Sequence, residues 1–268
     1  MKNNSFLRKK QIENFSEFAK RLAKQAGNLL MKDYGKTQLV KIVDRDEKGL
    51  ITRADIKSNN FIVNSITHSY PSHSIHSEEL QKSKTHEFNW IVDPLDGTNN
   101  YRRGDPNFSV SIALEFRNKI LFGVVYAPVL EEFYWSTLNQ GAFYEKNGKK
   151  IKIRVSGKKS LAMFTMSVTT DIDWNNKKIS NSIISVVTRI KKIRHFRRRM
   201  IENTSLELCH VAQGRYDAHL NILPKLWDIA AGQLIVTESG GTISVLKNGI
   251  YLATNGIIHN KFVEALNK

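Results

Sequence analysis

The segment Trp90-Ile-Val-Asp-Pro-Leu-Asp-Gly-Thr-Asn-Asn-Tyr101 carries the residue types best suited to chemistry. A short apolar run ends there, and two aspartates follow three residues apart. Pro94 between them fixes φ and removes a donor. Such a turn can aim the Asp93 carboxylate, the Leu95 carbonyl and the Asp96 carboxylate at one point, an all-oxygen set that suits a hard cation such as Mg²⁺. Gly97 lets backbone approach a ligand closely. Thr98 adds a hydroxyl, and N–H groups here can receive a phosphate oxygen if a helix starts at this point. Asp, Pro and Gly also form ordinary turns, so the string taken alone fits a plain surface turn as well.

Two further acidic positions bear on that choice. Ser77-Glu78-Glu79 follows Ser74-Ile75-His76, which reads as a short strand, and Trp227-Asp228 opens an apolar helical stretch running to Glu238. A solvated glutamate pair and a helix-capping aspartate are the ordinary explanations of each. Four carboxylates drawn together would repel and raise one another's pKa unless cations neutralised them. No competing catalytic set stands out. Cys209 lies on an apolar helical stripe with Leu206 and Val211, as a buried structural thiol would. The eight histidines show no metal-ligand spacing, His210 reads as structural, and there is neither a GxGxxG nor a P-loop.

The elements that must position these residues follow from periodicity. Phe15, Phe18, Ala19, Leu22, Ala23, Ala26, Leu29 and Leu30 form one apolar stripe, which predicts a helix from about Gln11 to Asp33. A second helix is expected from Asp55 to Tyr70, ended by Pro71, with Asp55 as its cap or first-turn acid. Strands are expected at Trp90–Val92 (stopped by Asp93-Pro94), Ser109–Phe116, Ile120–Tyr126, Phe133–Trp135 and Ala142–Tyr144, with a hairpin turn at Asn147-Gly148. Further helices are expected near Ile179–Ile193, from Thr204 or Ser205 to Gly214, and from Asp228 to Gly240-Gly241. Blocks of helices and strands alternating along one continuous chain predict a layered mixed α/β architecture.

The chain has 268 residues and is 41% hydrophobic, enough for a sizeable core in one domain spanning 1–268. One cysteine excludes an internal disulfide framework, and no apolar run approaches a membrane span, so a cytoplasmic protein is expected. The formal net charge of +16 attracts anionic partners or simply solvates the surface, and the basic run Arg189–Arg199 is its densest stretch.

Taken together, the acidic motifs resemble those of the inositol monophosphatase family, a branch of the metal-dependent, lithium-sensitive phosphatases. The family pattern W-[IV]-[IV]-D-P-[IL]-D-G-T-x-N-[FY] is matched at Trp90–Tyr101, and W-D-x-A-A-x-x-L-x-x-x-E-x-G-G at Trp227–Gly241. Glu78-Glu79 and Thr52-x-x-Asp55 stand in the family's order upstream. The resemblance implies a five-layered αβαβα sandwich, a homodimer, and two to three Mg²⁺ ions. It implies that Glu78, Asp93, Asp96 and Asp228 ligate metal through side chains and Leu95 through its carbonyl, with Glu79 at a weaker metal position. Thr98 and Asp55 would position the attacking water, so that Thr98, Asp55 and Glu78 form the catalytic set. The Gly97 and Thr98 amides would hold phosphate, and Leu95, Asn221 and Asp228 would complete the substrate-binding set.

The implied function is Mg²⁺-dependent hydrolysis of a small phosphate monoester by metal-activated water, with myo-inositol monophosphate as the first substrate. Relatives of the same fold act on 3′-phosphoadenosine 5′-phosphate, fructose 1,6-bisphosphate or histidinol phosphate. The alcohol end departs from the pattern: Asn221 stands where many members have glutamate, Asp105 replaces a commonly apolar residue, and Arg103 stands where many bacterial relatives have His. A second reading, resting on the basic balance and on Arg194-His-Phe-Arg-Arg-Arg199, is an RNA- or protein-binding member of the fold.

Overall fold

The stripe Phe15, Ala19, Leu22, Ala23, Ala26 and Leu30 is buried along one side of helix α1 (Lys2–Met31). The helix begins well before Gln11, because its first turns are polar and leave no apolar signature. The computed structural model describes residues 2–36, 42–46, 49–80, 86–170, 188–189 and 197–267. A two-stranded ribbon, β1 (Ile42–Asp46) and β2 (Gly49–Thr52), leads into α2 (Arg53–Ser69).

Helices α1 and α2 cover one face of a seven-stranded sheet. Its order is β3 (Ser74–Ser77), β4 (Phe88–Asp96), β5 (Ser109–Phe116), β6 (Lys119–Ala127), β7 (Glu132–Thr137), β8 (Ala142–Lys146) and β9 (Lys149–Ile153). Only β3 and β4 are parallel; the rest form an antiparallel meander. Asn147 and Gly148 both take positive φ, 51° and 72°, and close the β8–β9 hairpin as their residue types predict. Strand β4 does not stop at Asp93-Pro94. Pairing with β5 lapses between Asp93 and Asp96 and resumes with Asp96 opposite Ser109, so the proline sits in a bulge where no ladder N–H is needed.

The opposite face of this sheet is covered by α4 (Thr204–Ala212) and α5 (Leu226–Glu238); between these two in chain order comes β12 (Ala218–Ile222), and the short α3 (Thr98–Arg103) follows β4. α5 lies flat because Gly123 has no side chain: a Cβ there would stand 2.8 Å from the Ala231 backbone. Beyond α4 and α5 lies a five-stranded sheet in the order β11 (Arg197–Arg199), β10 (Thr165–Thr170), β12, β14 (Ile250–Thr254), β13 (Thr242–Val245). Its outer face packs on α6 (His259–Asn267) through Phe164, Leu220, Leu252 and Phe262. The layers are therefore α, β, α, β, α. The helix expected near 179–193 lies outside the described residues, apart from Thr188 and Arg189.

Candidate active site

The parallel pairing of β3 with β4 builds the first half of the site. Ser77 stands opposite Val92, so the next residues, Glu78 just past β3 and Asp93 within β4, come side by side. Glu78 N donates to Val92 O at 3.2 Å, and Ser77 Oγ donates to Asn59 Oδ1 on α2 at 2.6 Å. The Asp93 carboxylate accepts the Leu95 N–H at 3.0 Å, a local turn that leaves Pro94 O to Ser58 Oγ at 2.8 Å. Gly97 takes φ 85° and ψ 41°, and a Cβ there would stand 2.9 Å from Asn107 O. Both facts require glycine at the entry to α3.

Asp55 is the third residue of α2. It accepts the Thr52 N–H at 2.7 Å and the Thr52 hydroxyl, while Thr52 Oγ1 accepts from Ala54 N, a reciprocal cap. Its other oxygen accepts from Thr98 Oγ1 at 2.8 Å, and that hydroxyl also lies 3.1 Å from Leu95 O. Burial raises the Asp55 pKa, and the hydrogen bonds from Thr52 and Thr98 act against the rise. Asp228 is the third residue of α5 and accepts the Lys225 N–H at 2.9 Å. The edge of Trp227 meets His76 of β3 at 5.3 Å between centroids, bringing the start of α5 to the end of β3.

Electrostatics report how close these acids stand. Burial, then Asp228, Glu79, Asp55 and Asp96, push the Glu78 carboxyl up to about 9. Asp93, only 2% exposed, is raised well above the usual carboxylate range by burial and then by Glu78, Asp96 and Asp228. The structure thus gathers acids from β3, β4, α2 and α5 into one mutually repelling group. Among the described residues, no three His, Cys, Asp or Glu side chains form a metal-holding arrangement as they stand. Asp96 spends an oxygen on the Ser205 N–H and Asp228 one on the Lys225 N–H, while both Asp55 oxygens are taken by Thr52 and Thr98. In chemical kind the group fits Mg²⁺: the donors are all hard oxygens, and the like charge that helps raise Glu78 and Asp93 is what a divalent cation would relieve. Holding an ion would require these side chains to turn toward it.

Sequence reasoning missed the clamp on Asp96. Asn203 Nδ2 donates to Asp96 O at 3.0 Å, and the Ser205 N–H donates to Asp96 Oδ2 at 2.8 Å. Asn203 is also the N-cap of α4, its side chain accepting the Leu206 N–H at 2.8 Å. An Asn before an apolar helical run was the available signal. Asn221 does not sit among the acids. It is fully buried on β12, and its amide donates to Thr204 Oγ1 at 2.8 Å. The residue expected to meet the substrate's alcohol thus lies behind the first turn of α4. Cys209 is buried, as its helical stripe predicts.

A model of the inositol monophosphatase family matches residues 11–268. The chain belongs to the inositol monophosphatase family. Among curated members, the Nus factor SuhB of Pasteurella multocida is 33% identical over 239 residues, covering 88% of this chain and 86% of the relative. Among solved structures, the extragenic suppressor protein suhB of Bartonella henselae superposes with a TM-score of 0.85 at 28% identity, covering 95% and 99% of the two chains. An IMPase of Thermotoga maritima gives 0.81 at 30% identity, covering 95% and 97%. These inositol monophosphatase folds agree with the five layers described above.

Proposed function

We propose that this protein is a Mg²⁺-dependent phosphomonoesterase, with a small polyol phosphate of the myo-inositol monophosphate kind as its first substrate. The convergence of buried and half-buried acids near the Thr98–Asp55 pair carries the proposal. Glu78, Asp93, Asp96 and Asp228 would hold two or three Mg²⁺ ions, with the Leu95 carbonyl as a further oxygen. When bound, the ions supply charge neutralisation and a lowered pKa for water. Asp55 holds Thr98 Oγ1 at 2.8 Å, and this pair orients the attacking water and takes its proton at the Asp55 carboxylate. The Gly97 and Thr98 amides precede the first bond of α3, Tyr101 N to Gly97 O, and would be the donors to the phosphate. Asn221 shapes the alcohol end from behind, through Thr204. Activity in the cytoplasm as a homodimer belongs to the same proposal.

The test is phosphate release from a panel of monoesters with and without Mg²⁺. The panel holds myo-inositol 1-phosphate, 3′-phosphoadenosine 5′-phosphate, fructose 1,6-bisphosphate and histidinol phosphate. Metal-dependent turnover of at least one is expected, and no turnover of any at any Mg²⁺ concentration sinks the enzyme. The Pasteurella relative's name, Nus factor, together with the exposed arginines of β11, supports a second reading as an RNA-binding member. RNA retention falling steeply with salt, without phosphate release, would favour it.

A further inference from the structure

A cavity of about 450 Å³ opens at the edge of the five-stranded sheet. Thr165, Arg197, Arg199, Ile201, His210, Arg215 and Tyr216 line it, and none belongs to the acidic group above. Its cations come from the fold itself. β11 is an edge strand paired only with β10, and side chains alternate along a strand, so Arg197 and Arg199 share one face while Arg198 points away. Among the described residues, neither Arg197 nor Arg199 pairs with a carboxylate. Two acids beside it are already engaged: Glu132 accepts Arg215 Nη2 at 2.8 Å and Nη1 at 3.0 Å, and Asp217 accepts Thr165 N at 2.8 Å and Ser156 Oγ.

An independent observation is a polar atom left without a partner in this wall. His210 is 6% exposed, and its Nε2 lies 3.1 Å from Arg215 Nη1. Glu132 Oε2 stands 3.5 Å from the same nitrogen. Nε2 therefore has polar neighbours, and its role toward them follows the ring tautomer. Nδ1 has no hydrogen-bond partner among the described residues, so this lining residue carries a buried polar ring atom left unsatisfied, a costly condition.

We propose that this cavity is a second ligand site, independent of the phosphatase reading, that binds a nucleoside di- or triphosphate. Arginine forks match phosphate oxygens bidentately. Side chains two apart on a strand stand about 6.6 Å from each other, a span suited to two linked phosphoryl groups. The edge-on pair His210–Tyr216, centroids 5.0 Å apart, and Ile201 offer an apolar wall for a ring. The volume lies within the range of small-molecule sites.

The test uses the full chain in chelator, where the acidic group repels anions. Calorimetric titration with pyrophosphate, ATP and GTP should show one saturable site. Binding should weaken about tenfold or more in Arg197→Ala/Arg199→Ala and in Arg199→Glu, with melting temperatures near that of the parent. In protein labelled with ¹⁵N-histidine, pyrophosphate should shift the His210 Nδ1 resonance. No saturable binding to about 5 mM, or equal affinity in the variants, overturns the proposal. So does tight binding of an RNA 20-mer without binding of ATP. Loss of binding that coincides with a changed sedimentation coefficient also overturns it, because the cavity would then be a contact between two copies of the chain.

Discussion

Glu78→Gln should make the metal-free protein more stable while destroying its catalysis. The Glu78 carboxyl is pushed up to about 9, from an ordinary 4.5, by burial and by Asp228, Glu79, Asp55 and Asp96. A raised pKa contributes stability that is fully present below the unfolded value and is lost as pH rises through the folded one. The window is therefore pH 4.5 to 9. At pH 7 the folded chain carries a proton that the unfolded chain has released, a cost of at most about 3 kcal/mol at 1.36 kcal/mol per unit. Coupling among the acids reduces this to about 1–3 kcal/mol, or roughly 2–6 °C in Tm for a chain of this size. Glutamine does not pay it. Calorimetric melts in chelator at pH 4, 6 and 8 should show no difference at pH 4 and a growing advantage for the variant above it. Saturating Mg²⁺ should reverse the order, because only the parent keeps its full set of ligands. A variant that melts at or below the parent at pH 8 in chelator would refute the idea that Glu78 stands in a repelling cluster.

Asp96→Asn or Asp228→Asn should lower kcat/KM by roughly 10³-fold or more with a Tm shift of only a few degrees, read by phosphate release and thermal melts. Near-parental turnover would remove that residue from the ligand set. Gly97→Ala combines φ 85° with a 2.9 Å approach to Asn107 O and should cost about 1–3 kcal/mol in stability, with a further loss of turnover. Melts of a parallel Gly35→Ala variant, whose Cβ meets nothing within 4 Å, separate the strain of positive φ from the close contact. Burial alone would raise the Glu132 pKa, but neighbouring His210, Arg215 and Tyr134 outweigh it and hold the value at about 2. A depressed carboxylate contributes stability above its unfolded value of 4.5 that disappears as pH falls through about 2. Glu132→Gln should therefore flatten the acid limb of a stability–pH curve by up to about 3 kcal/mol.

How much of this was legible in the sequence depended on whether a feature is local. The stripe of α1, the strand Ser109–Phe116, the Asn147-Gly148 hairpin and the two acidic motifs are short-range patterns, and the structure carries each of those elements. Ends with no local mark were misjudged. α1 starts among polar residues, and β4 runs through Pro94 because a bulge excuses the missing N–H. The clamp on Asp96 by Asn203 and Ser205 joins residues more than a hundred positions apart, and no spacing rule reports such a bond. Asn221 illustrates the same limit. Its place in the family pattern implied contact with the substrate, while its strand, β12, lies between β10 and β14 and buries it.

The shared middle layer also governs the order in which the chain can mature. Ile91, Ala113, Val125 and Tyr134 on the inner face of the larger sheet are covered by helices α4 and α5, which lie between residues 204 and 238. All seven strands of that sheet are complete at Ile153, about 85 residues before Glu238. At ribosomal rates of about 5–20 residues per second, the bare face waits on the order of 4–17 s for its cover. A nascent chain stalled in that interval presents a broad greasy sheet to its surroundings, so chaperone demand and co-translational aggregation should peak there, before the last acid of the site has been synthesised.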